Sequence, residues 1–292
     1  MTRYAKPADL DEALALLASD RWKVLAGGTD FYPALGARPL RENVLDINGL
    51  SALRGISTTD GHVVIGARTS WSDVIRHDLP HAFDCLKEAA REVGSVQIQN
   101  TGTVAGNLCN ASPAADGVPA LMALDAEVEL RSAAGARHLP LSEFILGNRK
   151  TALRPDELMT AIRVPLASTA GRSAFVKLGA RRYLVISIAM AAARIVLDRE
   201  GRIAEAALAI GSCSAVAKRL PALEAALAGQ RIDGEFVKKI EPGQLSSLTP
   251  IDDVRGSAEY RLAAAREILA RAIRRAASGD RPEGLSEGRA AA

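Results

Sequence analysis

A chain of 292 residues, 48% hydrophobic and 24% charged, with a mean hydropathy of +0.05, has a soluble globular composition and room for two domains. Its 37 Lys and Arg against 34 acids leave a net charge of +3, too small an excess to argue for nucleic acid, and no segment interleaves basic with aromatic residues. Cys85, Cys109 and Cys213 are widely separated: they form no C-x-x-C pair and no disulfide framework, and an iron–sulfur cluster needs about four thiolates at short spacing.

In chain order, the opening MTRYAKPADLDEALALLASD lacks the basic end and unbroken apolar core of a signal peptide, and no apolar run approaches the roughly 20 residues of a membrane span. The expectation is a cytoplasmic protein without a membrane span. Asp9 and Glu12 stand at capping-box spacing ahead of Ala13, Leu14, Leu16 and Leu17, which predicts a short first helix. Short strands are predicted at Val24–Ala26, Val44–Ile47 and Val63–Ile65, the last after the turn-prone Thr59-Asp60-Gly61. Helices suit Ser70 to Arg76 and His81 to Val93, and the strict alternation of Glu127 to Arg131 suits a half-buried strand. Pro165 to Gly171 has loop character and marks a boundary. Beyond it, Arg199-Glu200-Gly201 suggests a hairpin, and a helix opens at Pro221 and closes at Gly229. The strongest helix runs from Ser257 to Ala276, and the Gly-, Pro- and Glu-bearing tail from Gly279 is expected to be disordered. Strands mixed with helices in no regular βαβ rhythm argue for an α+β fold.

Two glycine-rich segments carry the candidate chemistry. In Lys23-Val24-Leu25-Ala26-Gly27-Gly28-Thr29-Asp30-Phe31 a strand ends in two glycines. Successive N–H groups can then point into one concavity that suits phosphate oxygens. In GTVAGNLCNASPAAD, Thr103, Gly106 and Asn107 offer hydroxyl and amide groups, Pro113 stiffens the exit, and Asp116 can accept from sugar-like hydroxyls. Taken singly, each segment fits a tight turn or a well-packed loop about as well. Neither matches G-x-G-x-x-G opening a helix or G-x-x-x-x-G-K-[ST]. His62, His77, His81 and His138 have no metal-ligand spacing, and Ile186 reads as core on periodicity alone.

Together the segments are more specific. An h-A-G-G-T-D segment followed by T-h-x-G-N-x-x-x-x-x-P-x-x-D resembles the FAD-binding (medium) subunit of the molybdenum hydroxylases, the xanthine and carbon monoxide dehydrogenase flavoproteins. Further matches lie at Lys150-Thr151, at Pro155-Asp156-Glu157-Leu158 through Val164-Pro165, and at Phe175, Lys177, Arg181 and Arg182. Asp253-x-Arg255-Gly256-Ser257-x-x-Tyr260-Arg261 completes the series. One departure is Ala105, where the family usually has glycine.

The resemblance implies a two-part FAD-binding domain of the vanillyl-alcohol-oxidase (PCMH) type over residues 1–168, with parts at about 1–55 and 56–168. A small α+β C-terminal domain over 172–278 and a tail over 279–292 follow. It implies FAD on this chain, with [2Fe–2S] clusters on a small partner subunit and molybdopterin on a large one, in a dimer of heterotrimers. Lys23 to Phe31 would lie against the pyrophosphate and ribityl chain, with Thr103, Gly106, Asn107 and Asn110 on their other side. Asp116 would accept from cofactor hydroxyls, Leu158 and Lys177 would approach the adenine and flavin ends, and Ile186 would cover the isoalloxazine face. A self-sufficient flavin-dependent oxidoreductase on the same fold is the alternative. It should bring its own substrate domain and catalytic residues.

Overall fold

The computed structural model describes residues 2–232, 236 and 240–279; the tail expected to be disordered lies outside them from residue 280 onward. The first unit opens with β1 (Tyr4–Ala5), α1 (Leu10–Ser19), β2 (Trp22–Leu25), α2 (Phe31–Leu35) and β3 (Asn43–Asp46), its strands forming a parallel sheet in the order β1-β3-β2. Asp9 caps α1 by accepting from Glu12 N–H at 2.9 Å, as its spacing predicts. Ala13, Leu14 and Leu17 then face Leu45 and Ile47 in a small core.

The second unit runs through β4 (Ile56–Thr59), β5 (His62–Gly66), α3 (Trp71–Arg76), α4 (Asp84–Glu92), α5 (Val96–Thr101), α6 (Val104–Asn110) and α7 (Gly117–Ala123). It continues with β6 (Glu127–Ser132), β7 (Gly135–Pro140), α8 (Leu141–Phe144), β8 (Ile145–Gly147), β9 (Lys150–Thr151) and β10 (Leu158–Pro165). Its main sheet is antiparallel in the order β4-β5-β10-β6-β7. The Thr59-Asp60-Gly61 turn is thus the tip of a hairpin whose first strand the sequence reading lacked. That strand has one half-buried position and three exposed ones, so it carries no apolar signal.

The third unit holds β11 (Arg172–Leu178), β12 (Ala189–Leu197), β13 (Ile203–Gly211), β14 (Lys218–Arg219), α9 (Pro221–Leu227) and α10 (Ala258–Ser278), with its strands antiparallel in sequence order. Strand alternation splits β12 between two cores. Met190 and Ala192 pack with Leu121 and Phe83 of the second unit, whereas Ala189, Ala191, Ala193 and Ile195 pack with Leu269 and Ile273 of α10. The connection at Pro165 to Gly171, read as a boundary of loop character, holds a 3-10 turn over Leu166–Thr169, with Ser168 buried and donating to Asp125 at 2.8 Å. No helix among the described residues is long and apolar enough to cross a membrane.

Candidate functional site

The two glycine-rich segments meet. Gly27 follows β2 and packs so closely on the Thr101–Gly102 backbone that a Cβ there would overlap the Thr101 carbonyl. Gly28 has φ +74°, the left-handed region where only glycine is unstrained, and a Cβ on it would stand 2.8 Å from the Tyr32 ring. Thr29 Oγ1 lies on the Gly102 side of this junction, where a Cβ on Gly102 would be 3.3 Å away. Lys23 sits over the Phe31 ring, 5.0 Å from its centroid, and Leu25 is buried. Val24 and Ala26 are half-buried, with the Ala26 carbonyl accepting from Asn48 Nδ2 at 2.8 Å. Asp30 is exposed, and its carbonyl accepts from Ala34 N–H at 3.1 Å.

The second segment is not the loop that its glycines and asparagines suggest. Thr103 is the N-cap of α6, its hydroxyl accepting from Gly106 N–H at 2.9 Å and keeping its own O–H to donate. Ala105 is helical and 4% exposed, packed in the main core. Its methyl packs into protein. Asn110 Oδ1 accepts from the Arg149 guanidinium, and Cys109 is exposed.

Asn107 holds the centre. Its Oδ1 is buried and has no hydrogen-bond partner, and a Cβ on Gly117 would come within 3.2 Å of it. A buried acceptor without a partner in the chain costs about 1–3 kcal/mol. One residue before Gly117, Asp116 is 7% exposed and accepts from Ser187 Oγ at 2.6 Å and from Lys177 Nζ at 2.8 Å. Burial pushes the Asp116 carboxyl above its ordinary range, and the lysine and serine oppose that rise. Lys177 also donates to the Glu92 carbonyl at 3.4 Å. The Glu92 carboxyl is likewise raised, by burial first, with Lys177 acting against it. Asp116, expected to serve cofactor hydroxyls, thus has both oxygens engaged by protein.

Ile186 departs from its periodicity and is 54% exposed, in a segment with exposed Tyr183 and Leu184. Arg181 holds that segment by donating to the Tyr183 and Leu184 carbonyls, at 2.9 and 3.2 Å. Leu158 is 3% exposed and belongs to the first unit's core, so its side chain faces protein. Sequence reasoning missed Ser187, a lone serine after Ile186 with no motif of its own. A continuous line therefore runs from Gly27–Gly28 through Gly102–Thr103, Asn107 and Asp116 to Lys177, Ser187 and Ile186. It offers backbone amides, one open amide oxygen and one neutralised carboxylate, and no acid–base pair poised for chemistry of its own. Among the described residues no cluster of three or more His, Cys, Asp or Glu could hold a metal.

Two family models match the chain: "FAD binding domain in molybdopterin dehydrogenase" over residues 1–167 and "CO dehydrogenase flavoprotein C-terminal domain" over residues 174–276. The 6-hydroxypseudooxynicotine dehydrogenase complex subunit alpha of Paenarthrobacter nicotinovorans is 31% identical, over 96% of this chain and 95% of its own length. The glyceraldehyde dehydrogenase medium chain of Sulfolobus acidocaldarius is 32% identical, over 94% of this chain and 98% of its own. Among solved structures, a chain of a Cu,Mo-CO dehydrogenase superposes with a TM-score of 0.88 at 28% identity, covering 96% of this chain and 98% of that one.

Proposed function

Because the chain belongs to the family of FAD-binding medium subunits of the molybdenum hydroxylases, we propose that it is the flavin subunit of such a complex. In this reading it receives electrons from [2Fe–2S] clusters on a small partner subunit. It passes them to an external acceptor such as NAD, oxygen or a quinone. Substrate is oxidised at molybdopterin on a large subunit, and the three form a dimer of heterotrimers in the cytoplasm. FAD, when bound, supplies the exchange between single electrons and electron pairs; the protein supplies binding, orientation and electrostatics.

The observation that carries this reading is the direct packing of the two glycine-rich segments, Gly27 against the Thr101–Gly102 backbone, with the buried Asn107 Oδ1 further along the second segment beside Gly117. An acceptor of this kind suits a cofactor hydroxyl, and the left-handed backbone at Gly28, next to the closely packed Gly27, suits a turn whose N–H groups face a pyrophosphate. In the proposal, residues 23–31 hold the pyrophosphate and ribityl chain from one side, and Thr103, Gly106, Asn107 and Asn110 hold them from the other. Asp116, with Lys177 and Ser187 on it, accepts from cofactor hydroxyls; Lys177 lies near the flavin end, Leu158 borders the adenine end, and Ile186 covers the flavin face. Residues 1–168 and 172–278 are its two domains.

Purification of the protein from its source under gentle conditions, followed by flavin, iron and molybdenum analysis of the fraction, tests the assignment. The expected result is a yellow-brown complex with all three and two further chains. A chain that emerges alone, with neither iron nor molybdenum, would overturn it.

A further inference from the structure

We infer that Arg261 is a positioning residue for the flavin-facing groups around Asp116; the inference rests on the flavin reading above. Arg261 lies in the first turns of α10 and is 3% exposed, a depth at which an arginine needs specific partners. Its Nη1 donates to the Ile188 carbonyl at 2.5 Å and to the Ser212 carbonyl at 3.1 Å, and its Nη2 donates to Asp253 Oδ1 at 2.6 Å. All three acceptors lie outside α10. The start of that helix has its own caps: Ser257 accepts from Tyr260 N–H at 3.1 Å and Asp252 from Ala258 N–H at 2.7 Å.

Both carbonyls lead to the site. Ile188 follows Ser187, which donates to Asp116, and Ile188 N–H donates at 2.8 Å to the carbonyl of Leu178, next to Lys177. Ser212 sends its N–H to the Pro113 carbonyl at 3.1 Å, three residues before Asp116. One guanidinium therefore fixes the segment that carries Ser187 and Ile186 relative to the segment that ends in Asp116. Its planar fork can hold both carbonyls and a carboxylate at once, which a lysine ammonium on a flexible stem cannot do at the same positions.

Full-length protein, purified with the subunits that accompany it, is compared as wild type, Arg261→Lys and Arg266→Lys. Arg266 sits on the same helix and donates to the Ile240 carbonyl at 2.7 Å, away from the site. FAD dissociation is read from free-flavin fluorescence, and amide hydrogen exchange is followed in residues 112–116 and 183–188. Arg261→Lys is expected to weaken FAD binding by about tenfold or more, equivalent to about 1.4 kcal/mol, with faster exchange in those two segments; Arg266→Lys should leave both unchanged. Wild-type FAD affinity in Arg261→Lys, a loss matched by Arg266→Lys, or faster exchange that spares the two segments would overturn the inference. Should Arg261→Lys fail to fold, Asp253→Asn loosens the third anchor with Arg261 in place and is judged by the same outcomes. A wild-type protein that takes up no FAD defeats the flavin reading itself, and the inference with it, before any variant is compared.

Discussion

Gly28 concentrates the backbone argument in one residue. At φ +74°, with the Tyr32 ring 2.8 Å from where a Cβ would stand, valine meets both a left-handed backbone and a clash, a strain of about 1–3 kcal/mol. Gly28→Val is expected to fold and to purify without flavin, read as the ratio of visible flavin absorbance to protein absorbance. A fully flavinated variant would show that the pyrophosphate is held elsewhere. The left-handed backbone at Gly28 was legible because paired glycines after a strand mark unusual backbone and close approach. The partners of Asp116 were not: Lys177 is 61 residues away and Ser187 is 71, and no local pattern records a pairing made by strand placement. Ile186 misled for the opposite reason. Apolar residues in Leu184-Val185-Ile186 mimic a strand, yet Leu184 takes φ +51° and the segment leaves the sheet.

Among the elements, short helices at the site owe their existence to caps more than to propensity. In α6 a threonine cap outweighs two asparagines and a glycine, so a stretch with loop composition is helical. In α3, Ser70 accepts from Asp73 N–H while the Asp73 carboxylate accepts from Ser70 N–H, a capping box that the sequence shows only as Ser-x-x-Asp. The same carboxylate receives Arg54 through two hydrogen bonds of 3.0 Å. Burial would raise the Asp73 carboxyl, but Arg54 and Ser70 outweigh it and hold the group at about 2, below its ordinary 3.8. A carboxyl depressed on folding stabilises above its unfolded value, and the gain is lost as pH falls through the folded one. With Arg54 half exposed and the pair screened accordingly, Asp73 contributes about 1–2 kcal/mol at neutral pH. Asp73→Asn should be less stable than wild type by that amount near pH 7, and the gap should close between about pH 4 and about pH 2. Urea denaturation at several pH values measures it; a gap independent of pH would remove the capping-box ion pair from the account.

For the whole molecule, the question is whether the third unit is a separate domain in the energetic sense. The β11–β14 sheet is covered on one face by α10 and on the other by α4 and α7, so one of the two main cores spans the second and third units. Polar links reinforce the layers. Glu88 of α4 accepts from Phe175 N–H at 2.7 Å and from Arg275 of α10 at 2.5 Å. Arg194, 1% exposed on β12, donates to the Ala123 carbonyl at the end of α7 and pairs with Glu205 and with Asp125, at 3.2 Å to the latter. Asp125 also receives Arg219 at 2.5 Å and Ser168 at 2.8 Å, with its own backbone at φ +51°. Sequence alone suggests a boundary at Pro165 to Gly171 because it reads loop composition; it cannot register that the turn is fastened to Asp125. With a shared apolar core and this network, the second and third units should unfold in one calorimetric transition. Asp125→Asn keeps a residue that tolerates the left-handed backbone but withdraws the charge from two arginines. Arg194 retains Glu205, which is half exposed, so the expected cost is about 1–3 kcal/mol rather than the full penalty of an orphaned buried cation. That corresponds to a fall in Tm of about 2–5 °C for a chain of this size, with the transition still single. Two resolved transitions in the wild type, or an Asp125→Asn protein that melts with it, would mean that the units are held together by surface contact alone.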